Sequence, residues 1–208
     1  MSYYQKDFFP KLTEVFLNNK VLNKERKKVL SVVRGQVLEV GFGSGLNLRF
    51  YPNEVESLVA VDPSEAAISL AKKRVVEVDY PVRLLYGTCE TVDIPLASFD
   101  FIVTTWVLCM VENPQSTLKT MRKFLKPTGK YVFLEHGYSK SSFTRKIQDC
   151  CNPFSRKLLG GCNINRPIDT LIESAGFEIV ELERFNLFGC GVALSAYRGI
   201  AIHSLLHE

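Results

Sequence analysis

Apolar positions along this chain follow two alternating rhythms: short unbroken runs, and longer stretches with an apolar residue every third or fourth position. Residues 5–33 read as two helices, with Phe8, Leu12, Val15 and Phe16 on the first stripe and Val21, Val29, Leu30 and Val33 on the second. A buried run from Gln36 to Gly41 follows and ends in a glycine-rich turn. The next run, Leu58–Asp62, closes on an acid. Pro63 suits the first turn of the following helix, where its missing N–H would have no partner anyway. That helix carries Ala66, Ala67, Ile68, Leu70, Ala71 and Val75. Val82–Tyr86 and Phe99–Thr105 read as strands three and four. A helix from about Asn113 to Leu125 leads through a turn at Lys126–Gly129 into a fifth strand, Lys130–Glu135. Residues 138–165 are less regular. A helix over 167–175 stops at Gly176, a C-cap residue, and Phe177–Arg184 and Ser195–His203 supply two last strands, expected as an antiparallel hairpin at a sheet edge.

Strands alternating with helices of this length predict an α/β fold with a doubly wound, mostly parallel sheet. The 208 residues suffice for one domain with a substantial core. A net charge of +4 is too small to argue for a nucleic-acid partner, and none is expected. Locally the balance is sharper. Lys20, Lys24, Arg26, Lys27, Lys28 and Arg34 cluster near the N-terminus, either as a solvated helix face or as a contact for an acidic or anionic-lipid surface. Cys89, Cys109, Cys150, Cys151, Cys162 and Cys190 lack the paired spacing of a zinc site, so no metal is expected and several read as buried thiols. The polar start Met-Ser-Tyr-Tyr-Gln-Lys-Asp, the reduced thiols and the lack of any long apolar run predict a cytoplasmic protein without a transmembrane segment, peripheral to a membrane at most.

The chemistry begins at Leu38-Glu-Val-Gly41-Phe-Gly43-Ser-Gly45, between the first strand and the next helix. Glycines let the backbone turn tightly and approach a ligand without an intervening Cβ. Asp62, ending the second strand, is placed to accept hydrogen bonds from both ribose hydroxyls of a nucleoside. A dinucleotide fingerprint needs a third glycine where Leu46 stands, which disfavours a nicotinamide-dependent oxidoreductase. The form here, G-x-G-x-G preceded by Glu39, fits a nucleoside that carries an amino acid.

On these residues the stretch from Val37 to Val132 resembles the class I Rossmann-like S-adenosylmethionine-dependent methyltransferases of the type-11 domain group. The resemblance implies a seven-stranded sheet with an antiparallel last strand and an N-terminal helical lid. It implies S-adenosyl-L-methionine as cofactor. Gly41, Gly43 and Gly45 would line its methionine and ribose portion, Glu39 would hold the loop or reach the ammonium through water, and Asp62 would bind the ribose with Pro63 beside the adenine. Gly87-Thr-Cys-Glu90 matches the family's G-D-A-E segment, with Thr88 where an aspartate often binds the adenine amine, Cys89 against the ring and Glu90 closing the segment. Thr104 would contact the methionine. The single domain, 1–208, then divides into a lid (1–34), a cofactor-binding core (35–136), a substrate-lid insertion (137–166) and a C-terminal helix with a strand pair (167–208).

Trp106-Val-Leu-Cys109, Leu134-Glu-His136 and Gly160-Gly-Cys-Asn-Ile-Asn-Arg166 are similar to segments of the methyltransferase-like alkyl-thiol methyltransferases. They are similar, more distantly, to ubiquinone/menaquinone C-methyltransferases and bacterial phosphatidylethanolamine N-methyltransferases. The acceptor expected is therefore small or amphipathic, a thiol, an amine or a similar group, with a phospholipid headgroup or a quinone carbon as the alternative. Methyl transfer from a sulfonium is an in-line displacement governed by positioning. His136, at the crevice end of strand five, is the candidate base. Glu135 is expected to face a helix or support the lid. Residues 138–165 mix Lys140, Arg145, Lys146, Arg156 and Lys157 with Phe143, Ile147, Phe154, Leu158 and Leu159, as a lid over an apolar substrate or a basic amphipathic patch. Cys162 reads as packing or substrate lining, and Arg166 as a cap or a partner for an anionic group. A monomer or homodimer suits this size, and a non-catalytic cofactor-binding protein on the same scaffold is the remaining alternative.

Overall fold

The computed structural model describes residues 14–187 and 195–204. Seven strands form one sheet: β1 (Gly35–Val40), β2 (Val55–Asp62), β3 (Val82–Tyr86), β4 (Phe99–Thr105), β5 (Leu125–Gly137), β6 (Phe177–Asn186) and β7 (Ser195–His203). Their spatial order is β3-β2-β1-β4-β5-β7-β6, with β7 antiparallel to both neighbours and the first five strands parallel. The last two strands do form an antiparallel pair. The chain's final strand is the inner member, between β5 and β6, so β6 is the sheet edge. β5 is longer than its apolar run, because Leu125 already pairs with Phe99 before the register shifts to Phe101 opposite Lys130.

Among the described residues, helices α1 (Lys20–Leu30), α2 (Glu65–Val75), α3 (Pro114–Phe124), α4 (Ser142–Leu158) and α5 (Ile168–Ser174) flank the sheet. Four start at a side-chain cap, Asn19, Ser64, Asn113 and Ser141, each accepting a first-turn N–H. Strand alternation divides the core into two layers. Val37, Val103 and Val132 point to the layer shared with Leu22, Val29 and Leu30 of α1, while Leu38, Ile102 and Phe133 point to Leu118 and Met121 of α3 and Ile168 and Ile172 of α5. Each such side chain, wholly buried, contributes about 1.5–3 kcal/mol.

Two expectations change here. Residues 138–165 are not irregular: α4 is the longest helix described, at 17 residues. Its pattern is inverted, which hides it from a reading that expects apolar residues inward. Thr144, Gln148 and Ser155 are buried, while Phe143 (71% exposed), Phe154 (68%) and Leu158 (63%) face outward. Of the N-terminal stripe, Phe8 and Leu12 lie outside the described residues, and Val15 and Phe16 are exposed.

Candidate functional site

The strand order reverses between β1 and β4, and the crevice at the carboxyl ends of those strands is where open α/β sheets take ligands. The glycine turn fills the β1 side. Gly41 and Phe42 both donate to Val61 O, at 2.8 and 3.2 Å, which bends the chain across the end of β2. Gly41 and Gly43 have φ of +72° and +59°, a region costly for residues with a Cβ. Their environments differ. A Cβ on Gly41 would lie 2.3 Å from Val107 Cγ2, whereas one on Gly43 would meet nothing within 4 Å. Gly41 is glycine because the next turn packs on it. Gly43 leaves open space over the crevice.

Asp62 closes the other side. Its Oδ2 accepts the Gly43 N–H and its Oδ1 the Ser64 N–H, both at 2.8 Å, so each oxygen keeps a lone pair for a further donor. Burial pushes its carboxyl above the usual carboxylate range, with those two N–H bonds pulling back. Pro63 follows it on the surface, and Gly45 packs on Phe42 and Leu48 as part of the turn.

The cleft in front of Gly43 is lined by Glu14, Leu17, Arg26, Gly41, Ser44, Asn47 and Thr105, among others. Its roof is the lid segment. Arg74 donates to Ser44 O at 2.7 Å and pairs with Glu14 at 2.5 Å, tying residues 14–17 over the glycine turn. Arg26, read from sequence as part of a solvated helix face or of a contact for an acidic or anionic-lipid surface, is 2% exposed and donates to Leu17 O at 2.6 Å. Arg26 and Asn47, both lining residues, each carry a buried polar atom with no partner among the described residues: Arg26 Nε, a donor, and Asn47 Oδ1, an acceptor. A zwitterionic amino acid needs that complementary pair, one donor for its carboxylate and one acceptor for its ammonium. The cleft therefore fits the amino-acid end of S-adenosylmethionine.

Glu39 is bound within the protein on both oxygens. It lies fully within β1, accepts from Asn47 Nδ2 at 2.8 Å and Tyr51 Oη at 2.6 Å, and holds the loop that carries Asn47. Burial pushes its carboxyl up to about 8, against the pull of Tyr51, Asn47 and the Arg26 charge. A raised folded-state value means that the folded chain holds the proton more tightly than the unfolded one. The resulting stability is full below about 4.5, the ordinary glutamate value, and is lost as pH rises through about 8. The thermal midpoint should accordingly fall between about pH 6 and about pH 9, and Glu39→Gln should flatten that decline, as calorimetry at matched pH can check. An equally steep decline in the variant would move the titration to another group.

On the β4 side the expected residue and its neighbour face opposite ways. Thr104 is wholly buried beneath the sheet, its hydroxyl 2.8 Å from Tyr131 Oη. Thr105 lines the cleft instead and accepts from Asn47 Nδ2 at 3.0 Å. Strand alternation is the cause: neighbours in β4 point to opposite faces. The segment after β3 is likewise divided. Thr88 is exposed, while Cys89 turns into the core, 1% exposed, with its Sγ on Thr117 O and its thiol pushed up by burial. Cys89 therefore does not offer a face to the cleft. Glu90 is drawn to α3, accepting from Thr117 Oγ1 at 2.7 Å.

Past Thr105 the chain turns at Trp106, whose φ of +62° is unusual for a bulky residue. Glu135, expected at a helix or the lid, fixes this turn: one oxygen accepts both Val107 N–H at 2.9 Å and Leu108 N–H at 3.0 Å. His136 stacks on Trp106 with centroids 6.3 Å apart, and its Nε2 lies 3.2 Å from Cys162 Sγ. Trp106 Nε1 is another buried polar atom without a partner among the described residues. Burial works against the His136 proton, but Cys162 and Glu135 outweigh it and raise the imidazole above its ordinary value. Cys162 is held down by the thiol of Cys109 and then by His136. The Arg166 guanidinium donates to Leu108 O, a backbone tie rather than a helix cap. His203 is half-buried against Phe177, and Cys190 lies outside the described residues.

Sequence reasoning overlooked Arg26, Asn47 and Thr105. Only Arg26 left a signal, since it shares the helical stripe of Leu22, Val29, Leu30 and Val33.

Comparison with known proteins gives a consistent family. The methyltransferase domain family matches residues 38–133. The mitochondrial methyltransferase OMS1 of Saccharomyces cerevisiae is 30% identical over 187 residues, covering 80% of this chain but only 39% of that protein. The chain thus spans about two fifths of that relative's length. The human thiol S-methyltransferase TMT1B is 26% identical over 193 residues, with 86% of this chain and 79% of that protein covered. Among solved structures, a methyltransferase from Thermotoga maritima, described as a possible histamine N-methyltransferase, superposes with a TM-score of 0.67 at 22% identity, covering 91% of this chain and 93% of the other. The [4+2]-cyclase SpnF shares the fold at 15% identity and a TM-score of 0.68, over 88% of this chain and 80% of its own.

Proposed function

We propose, from the premise that this chain belongs to the class I S-adenosylmethionine-dependent methyltransferases, that it methylates the sulfur of an amphipathic thiol met at a lipid surface. The cleft supports the first half of this reading, through one observation: the residues lining it before Gly43 include Arg26 and Asn47, which hold a buried donor and a buried acceptor without partners among the described residues, beside a carboxylate with free lone pairs. Arg26 Nε would bind the cofactor's carboxylate, Asn47 Oδ1 its ammonium and Asp62 its ribose hydroxyls. Glu39 and Arg74 act through others, holding Asn47 and the lid in place. When bound, the cofactor supplies an electrophilic methyl group on a sulfonium. The remaining work of the protein is to align the acceptor and exclude water. Trp106 and His136, stacked on each other past Thr105, would form the wall on that side. A general-base role for His136 would require its Nε2 to leave Cys162.

The acceptor half rests on α4. Its exposed stripe of Phe143, Phe154 and Leu158 is flanked by exposed Lys140, Lys146, Arg156 and Lys157, a pattern suited to anionic headgroups above acyl chains. No helix among the described residues is long and apolar enough to cross a membrane, so the contact proposed is with a surface. A thiol is favoured as acceptor by the named thiol S-methyltransferases among the relatives.

The test supplies methyl-labelled cofactor with an alkyl thiol, phosphatidylethanolamine or a quinone, in zwitterionic or anionic vesicles. Label should enter the thioether, faster on anionic vesicles. Phe143→Glu with Leu158→Glu should weaken vesicle binding at least about tenfold while sparing cofactor affinity. Label in the ethanolamine amine or the quinone would replace the thiol reading. Cofactor binding with no labelled product would replace catalysis with a binding role.

A further inference from the structure

Three residues far apart in the chain meet behind the Trp106 wall. Cys109 sits on the turn after β4, His136 on β5, and Cys162 on the loop after α4. All three are buried, and a ligand atom of each (two Sγ and an imidazole nitrogen) lies within 4.8 Å of the others. Around tetrahedral zinc, bonds of about 2.3 Å to sulfur and about 2.0 Å to nitrogen place neighbouring donors at spacings of this order. The 3.2 Å from Cys162 Sγ to His136 Nε2 is already close to that geometry.

The elements carrying these donors are clipped together by bonds that serve no core packing. Asn163 donates its backbone N–H (2.9 Å) and its Nδ2 (3.1 Å) to Cys109 O, locking the Cys162 loop onto the Cys109 turn. Ser155 Oγ donates to Cys162 O at 2.9 Å, and Gln148 Nε2 to Gly137 O and Ile164 O, both at 2.9 Å. The polar face of α4 therefore faces inward to hold this loop. That accounts for the helix's inverted pattern.

We propose that Cys109 Sγ, His136 Nε2 and Cys162 Sγ form a binding site for a thiophilic divalent cation, zinc, with a fourth position left to an exchangeable ligand. Two thiolates and one imidazole are a soft donor set that selects zinc over magnesium or calcium. Two thiolates also cancel the charge of the ion, and Glu135 and Arg166 beside the cluster offset each other. Three protein donors with one free position is the arrangement of reactive zinc rather than of structural zinc, which is closed by four. The site goes beyond the methyltransferase reading and does not depend on it.

The experiment uses the full chain, stripped with a chelator under reducing conditions and then dialysed against zinc or cobalt. Metal analysis should return about one zinc per chain, and cobalt should give a thiolate charge-transfer band. Cys109→Ser and Cys162→Ser should each weaken that band, and with His136→Gln should lower zinc affinity at least about tenfold. Cys150→Ser, an exposed thiol on α4, should change nothing. Cofactor affinity measured on the same samples reports folding, and keeps a failure here distinct from a failure of the methyltransferase reading. Stoichiometric zinc lost in the three variants sustains the site. Substoichiometric zinc, unchanged affinity in the variants, or a Cys109–Cys162 disulfide that forms equally fast with and without zinc would overturn it.

Discussion

Gly43→Val is expected to leave the protein folded and to weaken S-adenosylmethionine binding by at least about a hundredfold, or about 2.7 kcal/mol. No described residue lies within 4 Å of the space that a Cβ would enter at this position, so no packed neighbour among them has to move. The fold's share of the cost is the strained φ of +59°, about 1–2 kcal/mol, or a few degrees of thermal midpoint for a chain of this size. Gly41→Ala should behave oppositely. Its Cβ collides with Val107, so the loss appears first in stability. Asp62→Ala should accompany Gly43→Val in calorimetry. It removes the acceptor proposed for the ribose and strands the Gly43 and Ser64 N–H groups, at about 1–3 kcal/mol. Unaltered cofactor affinity in either variant would refute the cleft as the binding site, since both changes act only there.

What could be read before folding was whatever depends on local order. Apolar runs located β1, β2, β4 and β5, because parallel strands buried on both faces are apolar nearly throughout. The turn at Gly41–Gly45 and the acid at 62 were legible because backbone curvature and a strand end fix them. Thr104 and Thr105 mark the limit of such reading. Both end the same apolar run, and choosing the inward one needs the strand's phase, where a single residue reverses the answer. Arg26 shows a different limit. Its charge suggested solvent, while its helical phase with Leu22 and Val29 placed it inside, and burial against the lid backbone decided the matter. The cluster of Cys109, His136 and Cys162 left no local signal at all. It exists only because β4, β5 and the loop after α4 converge, and the clips that bring the loop in are side chains of a helix whose inward face is polar.

Glu135→Ala should produce the largest loss of stability of the variants considered. Its Oε2 serves both Val107 N–H and Leu108 N–H in a wholly buried position, and alanine leaves both without an acceptor. Each stranded group costs about 1–3 kcal/mol, so a total of about 2–6 kcal/mol is expected, equivalent to a fall in midpoint of about 10 °C. Glu135→Gln separates this account from a role for charge. One amide oxygen in the place of Oε2 can accept both N–H groups, so glutamine should recover most of the loss. Hydrogen exchange at residues 107 and 108 should accelerate in the alanine variant and stay slow in the glutamine one. Were both variants equally destabilised, the negative charge rather than the geometry of acceptance would be what the turn requires. The turn matters beyond stability, because Val107 packs on Gly41 and Cys109 follows directly after it. A single buried carboxylate thus sets the spacing between the cofactor cleft and the thiol cluster behind it, and loosening it should disturb both together.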